Sequence, residues 1–394
     1  MITTLGTYLP PWVGPGGTRR PGSDEDAVTM AVAAGRRALG GSRPEVNRVV
    51  LVTRDLPLLE GGNGAVLLAG LGLAHDAEVI EQVGGAPAAL DAVGAAAPGT
   101  LVVAADCSRS AGAAAALVGD GGGGGEITPA GRVTRSLPLR VRGLDGVVHE
   151  DDDPRLQRER GLRASLAAAE LAGKPVSLAG VGARDGAPFC EGDPPVLPTL
   201  GASAPLFSLA ALADRGAGGL VVAVEQATLS AVRWEPTGVV VNRDEPAPRE
   251  PPLRRSSPGP EIKIAFTAYD RAFGAKLEWE AGRCGSCATL AFPPRHRCLS
   301  CGAEGGATLV PLPRTGSVYT VTTVHVPVPG LETPYALAVV ELDDVGVRAL
   351  VTVTDVAPGS LEIGDRGRLV LRRVAVRSGV PDYGYAFSPA EVAS

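Results

Sequence analysis

Four cysteines lie in two pairs in the last third of the sequence. They read CGSC at positions 284–287 and CLSC at positions 298–301, with ten residues between the two pairs. Each pair places two thiolates on one tight turn, and four thiolates complete tetrahedral zinc coordination with no open position. A closed site stabilises the fold and has no place for a substrate. We therefore predict structural zinc bound by Cys284, Cys287, Cys298 and Cys301, although iron in a rubredoxin-like centre is chemically possible.

Basic residues surround these cysteines. Arg283, Arg295 and Arg297 stand beside the two pairs, and guanidinium groups bind phosphates through charge-assisted hydrogen bonds. They are candidates for contacts with the phosphates of a nucleotide-like ligand, or they are ordinary surface charge. His296 lies between the pairs, and we expect it at the surface because four cysteines already complete the metal site.

The segments around the cysteines predict a small β domain. Residues 266–279 are predicted as a helix that leads into the zinc ribbon, which is the segment around the four cysteines. After residue 316 come four short runs rich in β-branched residues, SVYTVTTVHV, YALAVVEL, VRALVTVTDV and GRLVLRRVAV. Four or five such strands within about 80 residues are typical of a Greek-key barrel of the OB type.

A proline-rich segment precedes this β domain. Residues 242–262 read NRDEPAPREPPLRRSSPGPEI, with six prolines and no apolar periodicity. Such a composition is typical of a stiff, extended linker. The predicted domains are therefore 1–241, the linker 242–262, a lead-in helix and zinc ribbon at 263–311, and a barrel at 312–394.

The first part alternates helical and strand patterns. Ser23 is the predicted helix cap, and strand patterns such as VNRVVLVT at 46–53 and LVVAAD at 101–106 follow. The alternation recurs from residue 162 to residue 225, in a shorter form. Alternating strands and helices predict right-handed crossovers and a largely parallel sheet with helices on both faces. We expect a duplicated α/β unit whose second copy is shortened.

The last third resembles a known family. The ribbon sequence AGRCGSCATLAFPPRHRCLSCG, the strand TGSVYTVTTV and the segment LEIGDRGRLVL are similar to the acyl-CoA-associated zinc-ribbon/OB-fold family, domain of unknown function 35. The match runs from about Ala265 to Pro389. The resemblance implies a domain that accompanies thiolase-like enzymes beside their acyl-CoA sites, usually as the non-catalytic partner.

The first part, residues 1 to about 240, resembles the thiolase superfamily, closest to the hydroxymethylglutaryl-CoA synthase and ketoacyl synthase III types. TLGTYLP at 4–10, DEDAVTMAVAAGRRAL at 24–39 and LVGDG at 117–121 are similar to that group. The superfamily uses a cysteine nucleophile with an acid and a histidine. Here the nucleophile position aligns with Val83 and the glutamate position with Arg54, and no histidine lies between His149 and His296. The resemblance therefore implies a layered thiolase-like fold whose acyl-transfer site is inactive.

Other reactive-looking residues have simpler interpretations. Cys107 is expected as a small buried side chain and Cys190 as a loop thiol. The run DGGGGG at 120–125 lacks the Lys-Ser/Thr pair of a nucleotide triphosphate loop and is expected as a turn.

Charge and hydropathy exclude other classes of function. The net charge is −6, which does not favour a nucleic-acid-binding protein. No signal peptide is expected at the N-terminus. The longest uncharged apolar run, residues 92–105, contains Pro98 and Gly99 and is too short to span a membrane. Four clustered cysteines in a long chain favour a reducing, cytoplasmic location.

These observations predict a fusion of a degenerate thiolase-like domain with a zinc ribbon and OB-fold barrel. We expect a non-catalytic accessory or scaffold subunit that pairs with a thiolase-type enzyme, in a homo- or hetero-oligomer. Zinc would be its structural metal, and a coenzyme A thioester its ligand or shared substrate. One alternative is an active acyltransferase or retro-aldolase that uses Asp55, Cys190 or a tyrosine. A second alternative is a nucleic-acid-binding ribbon and barrel.

Overall fold

The computed structural model describes residues 1–40, 45–108, 110–120, 123–151, 153–257, 263–326 and 331–390. Within these ranges the first part contributes the strands β1 (Ile2–Tyr8), β2 (Arg48–Thr53), β3 (Glu78–Val83), β4 (Thr100–Asp106), β5 (Gly112–Val118), β6 (Glu126–Thr134), β7 (Arg140–Arg142), β8 (Val148–Glu150), β9 (Ser177–Ala179), β10 (Gly219–Glu225), β11 (Thr228–Glu235) and β12 (Val240–Asp244). The later part contributes β13 (Arg255–Ser256), β14 (Glu280–Arg283), β15 (Leu290–Ala291), β16 (Thr308–Pro311), β17 (Thr315–Val324), β18 (Glu332–Thr333), β19 (Tyr335–Leu342), β20 (Arg348–Val353), β21 (Arg366–Arg377) and β22 (Val380–Pro389).

The helices are mostly short. They are α1 (Ala27–Leu39), α2 (Gly64–Leu71), α3 (Ala86–Gly94), α4 (Pro154–Leu156), α5 (Ala164–Ala168), α6 (Ala183–Gly186), α7 (Ala204–Asp214) and α8 (Phe266–Phe273). Wider π-helical turns, Gln157–Arg163 and Gly274–Glu278, extend α4 and α8. Two short 3₁₀ turns lie at Pro15–Gly17 and Ala187–Phe189. None of the described helices is long and apolar enough to cross a membrane.

The first sheet has the strand order β12-β1-β5-β4-β2-β3. Strands β2, β3 and β4 run parallel to one another, while β5 runs antiparallel to both of its neighbours, β4 and β1. Both β4 and β5 are buried along their whole length. Central strands covered on both faces read as continuous apolar runs, as LVVAAD does in the sequence.

The second sheet, β6-β11-β10-β9, repeats this arrangement in a shorter form. Strands β9 and β10 are parallel, β11 is antiparallel to β10, and β6 is antiparallel to β11. Strands β9, β10, β11 and β6 thus correspond in order and direction to β2, β4, β5 and β1. Among the described residues, no strand of the second sheet corresponds to β3. This agrees with the predicted duplication and its shortened second copy.

The two sheets enclose α3 and α7. Apolar side chains of both sheets and of these two helices form one buried cluster that includes Leu90, Val102, Leu206 and Trp234. The helix formed by residues 157–168 covers the outer face of the second sheet. The first part therefore has the layered α/β architecture that the sequence predicts, with α1 and α2 on the remaining face of the first sheet.

The cap of α1 differs from the prediction. Asp26, and not Ser23, is the N-cap: its carboxylate accepts a hydrogen bond from the Thr29 amide at 3.0 Å, and the Thr29 hydroxyl accepts one from the Asp26 amide at 2.9 Å. This reciprocal pair satisfies two backbone donors of the first turn. Ser23 instead uses its hydroxyl to accept a hydrogen bond from Arg254 at 3.1 Å.

The last third forms the predicted ribbon and barrel. Strands β15, β14 and β16 make a small antiparallel sheet that carries the cysteines. Strands β17, β19, β20, β22 and β21 close into a five-stranded barrel. Helix α8 and its π-helical extension lead into the ribbon, as predicted.

The barrel packs directly onto α1 and α2, and the two parts share one apolar cluster. Gly70 of α2 shows how close they come: a Cβ atom at this position would stand 2.6 Å from Val32 of α1 and 3.0 Å from Leu371 of β21. The barrel is therefore packed against the α/β part and is not a separate domain joined to it by a flexible linker alone.

The proline-rich segment also differs from a free linker. Residues 240–244 are strand β12 of the first sheet, paired with β1. Beyond them, the Arg249 amide donates to the Pro11 carbonyl at 2.8 Å, and β13 pairs with β18 of the later part. Residues 258–262 of the predicted linker, and residues 121–122 of the glycine run, lie outside the described residues.

Candidate functional site

The four predicted zinc ligands come together. Their sulfur atoms all lie within 4.8 Å of one another, with Cys284 and Cys301 at 3.7 Å and Cys287 and Cys298 at 3.6 Å. Cys284 follows β14 directly and is buried. Backbone amides of Cys287 and Ser286 lower the pKa of the Cys284 thiol, which favours the thiolate that binds metal.

The backbone around each pair forms the same tight turn. The Ala288 amide donates to the Cys284 carbonyl at 2.9 Å, and the Gly302 amide donates to the Cys298 carbonyl at 3.0 Å. Four thiolates on two such turns fit a closed tetrahedral zinc site, and their soft sulfur donors suit zinc better than they suit magnesium or calcium. His296 lies outside this group of ligand atoms.

The three candidate phosphate-binding arginines do not line one site. Arg295 lines a groove between the ribbon and the barrel, together with His296, Leu299 and Arg348. Arg283 and Arg297 are absent from the lining of that groove. Arg297 instead pairs with Glu304 at 3.9 Å. Of the three arginines, Arg295 is therefore the one that lines this groove.

A second cleft, of about 210 Å³, lies in the α/β part at the carboxyl ends of β2, β4 and β10. This is the place where side chains from both halves of the duplicated unit converge. Val83 does not point to it as a nucleophile would, because it ends the edge strand β3 and is 60% exposed. The residue at the N-cap of α3 is Gly85.

Glu225 and Arg54 fill the space beside that helix end. A Cβ atom on Gly85 would overlap the Glu225 carboxylate, at 1.8 Å from Oε2. The Arg54 guanidinium pairs with this carboxylate. Burial raises the pKa of Glu225 to about 7, although Arg54 opposes the shift. An ion pair thus occupies the volume that a catalytic side chain at the helix N-terminus would need.

The two remaining thiols are not activated. Burial raises the pKa of Cys107 well above its usual value, and the nearby Asp55 carboxylate adds to the shift. The Cys107 amide donates a hydrogen bond to the Asp55 carboxylate at 2.9 Å. Burial also raises the pKa of Cys190. Both thiols therefore favour the protonated, weakly nucleophilic form.

Sequence reasoning did not find a buried polar network where the barrel meets the α/β part. Arg372 of β21 is 1% exposed. Its Nη2 atom lies 2.9 Å from Asp355, 3.5 Å from Glu25 and 3.2 Å from the Tyr8 hydroxyl. The only sequence signal was an arginine pair inside the strand pattern GRLVLRRVAV, and alternation in a strand does not tell which arginine points inward.

Comparison with known proteins identifies the ribbon and the barrel. Residues 272–305 match the family model "ChsH2, rubredoxin-like zinc ribbon domain", and residues 309–372 match "ChsH2, C-terminal OB-fold domain". A DUF35 domain-containing scaffold protein from Methanocaldococcus jannaschii is 35% identical over 113 residues, 28% of this chain and 79% of that protein. The benzoylsuccinyl-CoA thiolase subunit BbsA from Thauera aromatica is 33% identical over 106 residues, 27% of this chain and 72% of that protein.

The first part has a weaker likeness to solved structures. A crystal structure of OleA from Xanthomonas campestris is 16% identical, with a TM-score of 0.47, over 59% of this chain and 97% of that chain.

Proposed function

We propose that this chain, which belongs to the family of DUF35 domain-containing proteins, is a non-catalytic accessory or scaffold subunit. Its partner would be a separate thiolase-type enzyme that makes or breaks a carbon–carbon bond in an acyl-CoA. The names of its relatives, a scaffold protein and a thiolase subunit, support this role. We propose a cytoplasmic location, because free metal-binding thiols persist in a reducing compartment.

One observation carries the non-catalytic assignment. The cleft of the α/β part has Gly85 at the helix end and the Glu225–Arg54 ion pair beside it. A nucleophilic acyl transfer needs a thiolate or an activated hydroxyl at such a position. Among the described residues that line the cleft, Ser108 and Ser110 are the hydroxyl bearers, and neither has a histidine beside it in the lining. The partner must therefore supply the reactive thiol.

The cofactors in this proposal have distinct roles. Zinc, bound by the four cysteines, stabilises the ribbon and takes no part in the reaction. A coenzyme A thioester is the shared substrate or ligand in this proposal. We propose that its phosphates contact Arg295, which lines the ribbon–barrel groove.

The edge strand β3 can pair with a strand of a partner subunit and so extend the first sheet across an interface. It is the last strand of the first sheet, and Ile80 and Val83 are exposed on it by 40% and 60%. An exposed edge with apolar side chains presents unpaired backbone groups that favour pairing with another strand. We expect β3 to contribute to a homo- or hetero-oligomeric assembly.

The test measures the partner's activity with and without this chain. A tagged full-length chain is co-expressed with a thiolase-type enzyme, and carbon–carbon bond formation or cleavage is followed on a series of acyl-CoA substrates. We expect the complex to process a substrate that neither protein processes alone. Deleting the barrel is not a clean alternative, because the barrel shares its core with α1 and α2.

Variants of the full chain supply the control. Ile80→Lys places a charge on the edge of β3 and should weaken association with the partner by about tenfold or more, since burying an unpaired charge is costly. Ile363→Lys is the matched control, because Ile363 is 72% exposed in a turn of the barrel. An enzyme that is equally active without this chain, or a chain that turns over acyl-CoA alone, would contradict the proposal.

A further inference from the structure

A third cleft, of about 740 Å³, lies where the α/β part, the proline-rich segment and the barrel meet. Its lining includes Tyr8 and Pro11 at and after the end of β1, and residues 366–368 of β21. Clefts between structural units are common places for ligands, because several segments can contribute polar groups to one volume. This cleft is far larger than the 210 Å³ cleft of the α/β part.

Arginines from three different segments line this cleft. They are Arg243 of β12, Arg249 of the proline-rich segment, and Arg366 and Arg368 of β21. Four guanidinium groups from separated parts of the sequence thus converge on one space. Each guanidinium has five N–H donors in a planar arrangement that matches the oxygens of a phosphate.

Carboxylates fix the orientation of the two barrel arginines. Arg366 contacts both oxygens of Asp343, at 3.0 and 2.9 Å, and Arg368 contacts both oxygens of Asp244, at 2.8 and 2.6 Å. In both pairs the Nη2 atom alone makes these contacts. The other donors of each guanidinium remain available to a ligand. The side chain of Arg366 is 66% exposed and that of Arg368 is 38% exposed.

The other two arginines are also anchored. Arg243 contacts Glu245 at 2.7 Å, and Arg249 donates from Nη1 to the Asp355 carbonyl at 3.2 Å. Side chains that are already oriented lose less conformational entropy when a ligand binds. The anchors therefore prepare the arginines for binding.

Four arginines and three carboxylates, Asp244, Glu245 and Asp355, line the cleft. Two more carboxylates reach these arginines from outside the lining, because Asp343 pairs with Arg366 and Asp214 pairs with Arg243. Asp355 is in addition bound by Arg372, at 2.9 and 3.1 Å. A phosphate would therefore be held by the N–H donors of Arg366 and Arg368 that these carboxylates leave unused, and not by a net positive charge of the wall.

We propose that this cleft is a binding site for a ligand that carries a phosphate or diphosphate group. The phosphate oxygens accept hydrogen bonds from Arg366, Arg368 and Arg249, and the rest of the ligand extends along Tyr8 and Pro11. The site lies on this chain alone, so it does not depend on the partner enzyme. Its failure would leave the accessory role untouched.

The experiment uses the zinc-loaded full-length chain and inorganic pyrophosphate as the probe, with binding measured by isothermal titration calorimetry. We expect saturable binding that weakens as salt is added. Arg366→Gln should weaken it by about tenfold, which corresponds to the loss of one charge-assisted contact. The double variant Arg249→Gln/Arg366→Gln should weaken it further. Circular dichroism checks that the variants are folded.

The matched control is Arg48→Gln. Arg48 also pairs with a carboxylate, Glu78, at 2.6 Å, and it lines neither this cleft nor the other two. Competition by coenzyme A would identify coenzyme A as the phosphate source, and absence of competition would assign the cleft to a different phosphorylated ligand. Absence of saturable pyrophosphate binding at millimolar concentration, or equal weakening by Arg48→Gln and Arg366→Gln, would overturn the proposal.

Discussion

Burial of Glu225 against the end of α3 raises its pKa to about 7 from a usual value of 4.5, and the neighbouring Asp106 carboxylate adds to the shift. Arg54 opposes it but does not cancel it. The carboxyl group therefore takes up a proton on folding throughout the range between these two pKa values. Such a shift lowers the free energy of unfolding at high pH, where the buried carboxyl group must be ionised in the folded state.

The raised pKa of Glu225 predicts that the stability of the chain depends on pH. Because the folded state binds more protons than the unfolded state between about pH 4.5 and 7, the free energy of unfolding falls as the pH rises through this window. The loss from Glu225 is about 3 kcal/mol at most. Glu225→Gln removes this contribution, so the difference in unfolding free energy between the native chain and the variant should change with pH. Denaturant unfolding measured at several pH values checks this.

Glu235→Gln is the control for this prediction. Glu235 ends β11 and is exposed, so its replacement should leave the pH dependence unchanged. Parallel stability curves for the native chain and Glu225→Gln would contradict the assignment of the shift to burial of Glu225.

At the scale of elements, the ribbon depends on its metal. Its sheet contains only ten residues in strands β14, β15 and β16, which is too little to bury a core of its own. Phe292 of the ribbon packs against Trp279, with ring centroids 4.6 Å apart. Metal binding is therefore expected to supply most of the folding free energy of this segment.

We predict one zinc ion per chain and its loss in Cys284→Ser. Because Phe292 would no longer be held against Trp279, the tryptophan fluorescence of the variant should change in the same way as that of the chelated native chain. Elemental analysis measures the zinc. Cys190→Ser is the control, because Cys190 lies in the α/β part, away from the ribbon. Full zinc content in Cys284→Ser would show that the four-cysteine assignment is wrong.

The cysteine pairs of the ribbon and the strands of the barrel could be predicted from the sequence, because each depends on residues that lie close together along the chain. The two cysteine pairs span 18 residues, and strands such as YALAVVEL are bounded by turn residues, so spacing and alternation were sufficient. The cap of α1 was misplaced by three residues, because Ser23, Asp24 and Asp26 are all good N-cap residues and only the fold selects among them. The proline-rich segment looked like a free linker because composition does not reveal pairing with distant strands.

The candidate sites were predictable to different degrees for the same reason. The four cysteines that the structure brings together were all identified from the sequence. The Arg372 network joins residues as far apart as Tyr8 and Arg372, separated by 364 positions, and no local pattern connects them. Val83 was aligned with the nucleophile position, and in the structure it is the last residue of the edge strand β3, three residues before α3 begins.

For the whole molecule, the continuous core across α1, α2 and the barrel implies that the two parts unfold together. The junction also contains the buried Arg372, which holds Glu25 and Asp355, and the Tyr383 hydroxyl, which donates to Asp26 at 2.9 Å. Removing one partner of a buried charge network leaves the others unpaired and is strongly destabilising.

We predict that the native chain unfolds in a single transition, seen at the same denaturant concentration by tryptophan fluorescence and by far-ultraviolet circular dichroism. Arg372→Leu should reduce the unfolding free energy by about 3–5 kcal/mol, because Glu25 and Asp355 would remain buried without their cation. Arg48→Leu, which removes an exposed pair with Glu78, should cost less than about 1 kcal/mol. If the α/β part and the barrel instead unfold in two separate steps, or if Arg372→Leu costs no more than Arg48→Leu, the junction does not couple the two parts.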